Sequence, residues 1–190
     1  ILVYVGFGKR ATTAYLENLK LLTYNETMVA NVKQNYIYNK LQNKEYICIH
    51  IRGTDKIILN NETYENYVQK MIIKTYENIK NSTIKNILIL TDDPKLRSLF
   101  IKKINMNMND YTILFNNNIK QTDGIHHIKK DKNNKYLKYQ SNIDMLIDFY
   151  LMTNSKILIS DNDSWFSKMA NHIKQKNHKL INFETNINNN

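Results

Sequence analysis

Four short runs of apolar residues recur along the chain, and many of their side chains are β-branched. The runs are 46–52 (YICIHIR), 86–91 (NILILT), 111–115 (YTILF) and 156–160 (KILIS). Continuous apolar runs of this length are typical of strands that are buried on both faces of a sheet. The pattern therefore predicts four buried strands.

Between these runs, apolar residues recur at three- and four-residue spacing, which is typical of helices with one buried face. One stretch contains Tyr64, Tyr67, Val68, Met71, Ile72 and Tyr76, and another contains Ile143, Leu146, Ile147, Tyr150 and Leu151. Alternating strands and helices imply parallel strands joined by crossover helices. The predicted fold class is therefore α/β, with a doubly wound, mostly parallel sheet whose ligands bind at the carboxyl ends of the strands.

The chain has the size of a single domain, with 190 residues of which 42% are apolar. We interpret residues 1–45 as a helical lead-in segment, with an interdomain position as one option, and residues 46–183 as the main domain. Residues 116–138 are rich in Asn, Lys and Asp, which predicts a long mobile loop. The Asn-rich end, NFETNINNN, predicts a disordered tail, which we place at 184–190.

The net charge of +10 would suit a nucleic acid or an anionic surface. Nearly all of it comes from lysines that are scattered among Asn and Tyr, and the only arginines are Arg10, Arg52 and Arg97. This dispersal indicates a residue bias rather than a surface that follows phosphates, so we do not expect a nucleic-acid partner. No apolar run approaches the roughly 20 residues that cross a bilayer, so we expect no membrane contact from this segment.

Two further features bear on chemistry and origin. Cys48 is the only cysteine, so an internal disulfide is impossible and a thiol-ligand metal site is implausible. The chain begins at Ile1 rather than at Met, so a fragment of a longer protein is an expectation and the compartment stays open.

The first predicted strand ends in charged residues. The stretch IHIRGTDK carries His50, Arg52, Gly53, Asp55 and Lys56. Strand alternation puts His50 and Arg52 on the same side, and Gly53 would let the backbone turn or approach a ligand closely. An arginine fork matches phosphate oxygens, and Lys56 adds a second positive charge. These residues suit an anion pocket, and a surface ion pair between Arg52 and Asp55 is the open alternative.

The second predicted strand ends in the sequence TDDP. Asp93 before Pro94 predicts a helix N-cap with proline at the first helical position. This capping role leaves Asp92 without a structural task. One acid therefore remains to be explained.

Two polar residues stand out in the last third of the chain. Asp148 interrupts an apolar helical face, and a carboxylate in that position needs a partner. Near the pocket it could accept hydrogen bonds from the N1 and N2 donors of guanine, and a satisfied, half-buried acid is the alternative. Ser164, near the start of a helix, could bind a phosphate with help from the helix N-terminus or could serve as an ordinary cap.

Taken together and in this order, the three groups resemble the donor-site motifs of the α-1,6-fucosyltransferases, which include core-fucosylating and Nod-factor enzymes. IHIRGTDK is similar to the motif His-Val-Arg-Arg-Thr-Asp-Lys of that family, and ILILTDDPKL to its strand ending in Thr-Asp-Asp-Pro. LIDFYLMTNSKILISDNDS is similar to a helical aspartate followed by a strand and a serine pair. The resemblance runs from about residue 15 to residue 183.

The resemblance implies a fold like the C-terminal, donor-binding lobe of a GT-B glycosyltransferase, with 46–183 as the nucleotide-sugar binding domain. It implies transfer of fucose from GDP-fucose to a glycan acceptor with inversion. No metal and no cofactor other than the donor substrate are expected. A non-catalytic GDP or nucleotide-sugar binding domain is the alternative, since 190 residues supply essentially one lobe.

The roles of individual residues follow only from this resemblance. The implied donor-binding residues are His50, Arg52, Asp55, Asp92, Asp148 and Ser164. The implied catalytic residues are Arg52, Lys56, Glu62 and Asp93. In this scheme His50 and Asp148 contact the guanine, Arg52 and Ser164 contact the diphosphate, and Glu62 is the candidate base.

The sequence departs from the family motifs at two positions. Gly53 stands where the family has a second arginine, which removes a cation. Asp163 stands where the family has the first serine of its pair, which adds an anion near the expected phosphates. We therefore expect the affinity for the donor to be weaker or differently tuned.

Overall fold

The computed structural model describes residues 26–53, 63–107, 109–116, 135–161, 164–174 and 179–183. The strands are β1 (Ile47–Ile51), β2 (Asn86–Thr91), β3 (Thr112–Phe115), β4 (Ile157–Asp161) and β5 (Lys179–Phe183). The helices are α1 (Glu26–Gln34), α2 (Tyr36–Leu41), α3 (Tyr64–Ile79), α4 (Pro94–Asn107), α5 (Lys135–Asn154) and α6 (Trp165–Ile173). All four predicted strands are confirmed, with ends that differ by no more than one residue.

The five strands are all parallel and follow the order β3-β2-β1-β4-β5. The chain builds the sheet outward from β1 to β3 and then crosses back to place β4 on the other side of β1. The neighbours β1 and β4 therefore enclose the point at which the winding direction reverses. Because His50 pairs with Ser160 across these two strands, their carboxyl ends lie level with each other at this point.

Side chains along β1 alternate between two hydrophobic cores. Ile47, Ile49 and Ile51 pack with buried residues of α3 and α4. Tyr46 and Cys48 lie in the other core, with buried residues of α1, α2, α5 and α6. Helices therefore cover both faces, as a parallel sheet with two apolar faces requires. None of the helices in the described ranges is both long and apolar enough to cross a membrane.

The described part of the lead-in segment packs against the second of these cores. Val32 of α1 and both Ile37 and Leu41 of α2 are buried there. Asn35 separates the two helices and caps the second, because its side-chain oxygen accepts from the backbone N–H groups of the next turn at 2.8 and 3.2 Å. The division of the chain at residue 45 stays a prediction.

Three details of the sequence-based prediction are wrong. Tyr76 of α3 is 48% exposed, because Thr75 and Ile79 take the buried positions of that face. The predicted loop 116–138 ends too late, since α5 already begins at Lys135. The Asn-rich end begins inside the sheet, because Asn182 and Phe183 belong to β5 and pair with β4.

Candidate functional site

A chain of polar side chains joins the end of β1 to the first turn of α6. His50 Nδ1 lies 2.7 Å from Ser167 Oγ, and Ser167 Oγ is hydrogen-bonded to Ser164 Oγ at 3.2 Å. Ser164 is the N-cap of α6, and its Oγ also accepts from the backbone N–H of Ser167 at 3.3 Å. Both serines are fully buried. The capping alternative for Ser164 is thus observed, and a phosphate contact stays a prediction.

His50 packs against aromatic rings and is uncharged at neutral pH. Its ring lies 5.6 Å from that of Phe166, which in turn lies 5.2 Å from the ring of Phe149. Burial and, to a lesser extent, the charge of Arg52 lower the pKa of His50 to about 4. The imidazole is therefore neutral at pH 7, with one nitrogen protonated and the other an acceptor.

The second ring nitrogen of His50 remains available. Nε2 makes no hydrogen bond within the part of the chain that the structure describes. Among the described residues, Thr75 Oγ1 is the one side-chain nitrogen or oxygen atom that is fully buried without a hydrogen-bond partner. His50 Nε2 also lacks a partner, so it is not fully buried. Nε2 is therefore an accessible polar atom at the carboxyl edge of the sheet.

Arg52 follows β1 directly and is half-buried. Its backbone carbonyl accepts a hydrogen bond from the Tyr67 hydroxyl at 3.3 Å, which ties the end of β1 to α3. Its positive charge acts on the His50 ring, so the two side chains are neighbours. Arg52, His50 and Ser164 thus lie together where β1 and β4 end.

Asp148 lies half-buried on α5, on the side of the sheet that carries Cys48 and His50. Burial and the charge of Asp144 raise the pKa of Asp148 to about 7. Burial and then the charge of Asp148 raise the pKa of the Cys48 thiol, so these two residues are close in space. Among the described residues Asp148 has no hydrogen-bond or ion-pair partner, so the alternative of a satisfied acid is not observed.

A second polar cluster surrounds Asp93 at the end of β2. Its Oδ1 accepts from the backbone N–H groups of Lys95 at 2.8 Å and of Leu96 at 3.1 Å, which confirms the predicted N-cap of α4. Its Oδ2 accepts from the Tyr64 hydroxyl at 2.7 Å, and this bond raises the pKa of Tyr64 to about 12. Asp93 is fully buried, and both of its oxygens are engaged.

Asp92 has the structural task that the sequence did not reveal. Its Oδ1 accepts a hydrogen bond of 2.7 Å from the backbone N–H of Gly53, just beyond β1. A Cβ atom on Gly53 would lie 2.4 Å from Cβ of Asp93. The glycine is therefore required for the close approach of β1 to the end of β2. A second arginine at this position would not fit without a backbone shift.

Several predicted residues cannot be placed, and several contacts were missed. Asp55, Lys56, Glu62 and Asp163 lie outside the described residues, so their roles stay predictions. Sequence reasoning gave no role at the site to Ser167 or Tyr64, the hydrogen-bond partners of His50 and Asp93. The three-residue spacing of Ser164 and Ser167 on an apolar helix was the available signal for a buried polar pair.

No known protein family and no curated protein matches the sequence. The fold, by contrast, matches solved structures. POFUT1 in complex with GDP is 9% identical, with a TM-score of 0.59 over 90% of this chain and 52% of that one. POFUT1 in complex with GDP-fucose is 12% identical, with a TM-score of 0.59 over 90% and 51%. The fucosyltransferase NodZ from Bradyrhizobium is 15% identical, with a TM-score of 0.50 over 84% and 45%.

The fold is fucosyltransferase-like. The chain spans about half the length of each of these proteins, and the low identities support a common fold rather than a shared activity. The predicted α/β class and doubly wound parallel sheet are confirmed, and the architecture resembles one lobe of a GT-B glycosyltransferase.

Proposed function

We propose that this chain is the donor-binding part of a glycosyltransferase that transfers fucose from GDP-fucose. The observation that carries the proposal is the reversal point of the sheet, where Arg52 follows β1 and the N-terminus of α6 follows the adjacent β4. Doubly wound sheets bind ligands at this point, and both a guanidinium and a helix N-terminus favour anions. The likeness in fold to POFUT1 solved with GDP and with GDP-fucose supports a GDP-sugar as the ligand.

The described side chains suit the different parts of this donor. Arg52 and the start of α6 would stabilise the charge of the diphosphate as it departs. Asp148 offers an acceptor for the base, and His50 offers a ring nitrogen that can bond to it. The N1 and N2 donors of guanine can both bond to one carboxylate, whereas adenine and uracil do not present this pair. These hydrogen bonds would favour the ionised acid and lower the raised pKa of Asp148 on binding.

The transfer step itself rests on the resemblance in sequence. A base close to Lys56, for which Glu62 is the candidate, would remove the proton of an acceptor hydroxyl on a glycan. The freed oxygen would attack the anomeric carbon of fucose from the face opposite GDP. The bond between that carbon and the diphosphate would break, its electron pair would leave with GDP, and the configuration would invert. No metal takes part in this proposal.

A non-catalytic domain that binds GDP or a nucleotide sugar is the second candidate. It is favoured by the cluster at the end of β2, where Asp92 and Asp93 accept hydrogen bonds that hold the fold. Both oxygens of the buried Asp93 are engaged in this way, and the catalytic role that the resemblance implies for Asp93 stays a prediction. Both candidates predict selective binding of guanine nucleotides, and only the first predicts fucose transfer.

Calorimetric titration with GDP, GDP-fucose, UDP and ADP tests the ligand directly. We expect GDP and GDP-fucose to bind at least about tenfold more tightly than UDP or ADP, because lost hydrogen bonds to the base cost roughly that much. Equal affinities for the four nucleotides would contradict the proposal. Fucose release or transfer from GDP-fucose by the full-length protein then separates the enzyme from the binding domain.

A further inference from the structure

A lysine at the start of α4 occupies a position that the helix itself disfavours. Lys95 is the second residue of this helix, which begins at Pro94. A positive charge in the first turn of a helix opposes the helix macrodipole. The side chain is exposed, and its ammonium makes no hydrogen bond and no ion pair within the described ranges. The stability of α4 therefore does not explain why a cation stands there.

The side chain of Lys95 is directed toward α3 and the end of β1. Its Nζ lies 4.2 Å from the centre of the Tyr64 ring, a cation–π contact. Tyr64 is the first residue of α3, and its hydroxyl donates to Asp93 at 2.7 Å. One turn later on the same helix, Tyr67 donates to the backbone carbonyl of Arg52. The Tyr64 ring thus holds the ammonium near the carboxyl ends of β1 and β2.

Arg97, on the same turn of α4, takes the other course that is open to a basic side chain. Its guanidinium lies 5.8 Å from the centre of the Phe115 ring and donates to the backbone carbonyl of Asn116, so it faces β3. The fold uses this charge to fasten the end of β3 to α4. Lys95 faces the opposite way, and its one described partner is an aromatic ring.

The charges at this edge of the sheet make a second cation useful. Among the described residues, Asp92 and Asp93 follow β2, whereas Arg52 follows β1. Two acids beside one guanidinium would repel a diphosphate. A cation at Gly53 is excluded, because a Cβ atom there would lie 2.4 Å from Cβ of Asp93. Lys95 brings a second positive charge to the same edge from α4.

We propose that Lys95 contacts the phosphate of GDP that is farther from the nucleoside, with Tyr64 as the positioning residue that holds its ammonium. The identity of the ligand rests on the proposed function. That function places the base near Asp148, on the face of the sheet that α5 covers, whereas α3 and α4 cover the other face. A nucleotide whose diphosphate lies at Arg52 therefore presents its β-phosphate, rather than its base, to Lys95. Both cations would stabilise GDP as it leaves.

Calorimetric titration of Lys95→Gln with GDP and GMP tests this contact in the full chain. GMP lacks the β-phosphate, so we expect GDP to weaken about fivefold and GMP by less than about twofold. Lys95→Arg keeps the cation and should retain the wild-type affinity for GDP within about twofold. The loss in Lys95→Gln should shrink at about 0.5 M salt, because exposed charges are screened.

Lys85→Gln is the matched control, because Lys85 makes the same kind of contact at the opposite end of β2. It directly precedes that strand, and its Nζ lies 4.7 Å from the centre of the Tyr111 ring. This substitution removes one exposed cation and one cation–π contact, as Lys95→Gln does, and it should leave both affinities unchanged. An equal loss in the two variants would indicate an effect of net charge and would overturn the contact.

Two variants of Tyr64 test the positioning role. Tyr64→Phe keeps the ring beneath the ammonium and loses the bond to Asp93, so it should lower the stability and retain the ratio of GDP to GMP affinity. Tyr64→Leu removes the ring and should lower this ratio, though by less than Lys95→Gln. In the Lys95→Gln background, Tyr64→Leu should not change the ratio further. Equal ratios in the two Tyr64 variants would overturn the positioning role.

Inorganic pyrophosphate, titrated in parallel, separates this inference from the proposed function. Pyrophosphate binding that weakens in Lys95→Gln and not in Lys85→Gln, in a wild type that does not bind GDP, would support the anion contact and overturn the proposed function. If Lys95→Gln weakens GDP no more than GMP, the contact is overturned while the proposed function stands. A wild type that binds neither GDP nor pyrophosphate overturns both.

Discussion

Two groups of polar side chains lie at the carboxyl edge of the sheet, and they differ in how far the fold itself uses their hydrogen-bonding capacity. At the end of β2, Asp92 and Asp93 accept bonds from backbone N–H groups and from Tyr64. Where β1 ends, His50 Nε2 makes no hydrogen bond within the described part of the chain, and neither does Asp148 on α5, on the same side of the sheet. The acidic pair at the end of β2 therefore serves the fold, and the polar groups without a partner among the described residues are the ones that the proposed site would use.

The difference has an energetic reason. Burying a polar group without a partner costs free energy, so a fold tends to satisfy such groups internally. The Asp148 carboxyl shows this cost as a pKa raised to about 7. Groups that remain unsatisfied at the edge of a doubly wound sheet are therefore the ones that a ligand can satisfy.

The largest effect is expected from Asp93→Ala, which removes the cap of α4 and the partner of Tyr64. A lost cap and an unpaired hydroxyl together should lower the free energy of unfolding by about 3 kcal/mol. Urea unfolding measures this change. Asp93→Asn keeps a capping oxygen and should lose less than about 1 kcal/mol. A loss of GDP binding by Asp93→Ala without any loss of stability would reverse the assignment of this cluster.

Arg52→Ala should weaken the binding of GDP and leave the stability nearly unchanged, which is the reverse of the effect expected from Asp93→Ala. Removing a charge-assisted contact to the diphosphate should weaken GDP by about 2 kcal/mol, or roughly 30-fold, with little change in stability. Calorimetry gives the affinity. The control is Lys156→Ala, which removes a cation at the other edge of the sheet, where Lys156 pairs with Glu45 at 2.9 Å. Undiminished affinity in Arg52→Ala would remove the proposed phosphate contact.

The smallest effect is expected from Asp148→Asn, and it should depend on pH. The pKa of Asp148 is raised from 3.8 to about 7, so between these values the folded chain holds a proton that the unfolded chain releases. Folding of the wild type is therefore penalised increasingly as the pH rises through this range. The amide carries no such proton, so the variant should be more stable above pH 7.

We expect the free energy of unfolding to rise by about 1 kcal/mol in the variant. This is well below the value that the whole pKa shift would give, because the carboxyl is only half-buried. The gain should fall toward zero only below pH 3.8, where both states of the wild type become protonated. Urea unfolding at pH 4, 6 and 8 measures the difference in the free energy of unfolding between the two proteins. His50 titrates in both of them, so its contribution to this difference cancels. A gain that is independent of pH would contradict the raised pKa. The same variant should bind GDP more weakly, which a mere stabilisation would not produce.

Most of the fold could be predicted from the sequence because its strands are continuous β-branched runs. Asn86–Thr91 is recognisable in this way without any tertiary information. The strand β5 could not be predicted with the same ease, since KLINF lies at the edge of the sheet and its sequence includes polar residues among the apolar ones. Thr75 took the buried position expected of Tyr76, because the amphipathic period does not specify which of two adjacent residues points inward.

The site could be predicted only as a set of segments. Parallel topology explains why the ends of β1 and β4 meet, and this follows from the pattern of elements. The bond between His50 and Ser167 joins residues 117 positions apart, and the bond between Gly53 and Asp92 joins residues 39 apart. Such pairs depend on strand register and helix rotation, which the local sequence does not encode. Asp92 therefore looked unexplained until its neighbour across the sheet was known.

The tight contact at Gly53 also constrains how this chain can change over time. Any side chain introduced there meets Cβ of Asp93, a buried atom that cannot rotate away. A substitution of Gly53 by arginine, the residue of the similar family motif, would thus be opposed by selection for folding. Any further cation near the proposed donor site would therefore have to come from a different position.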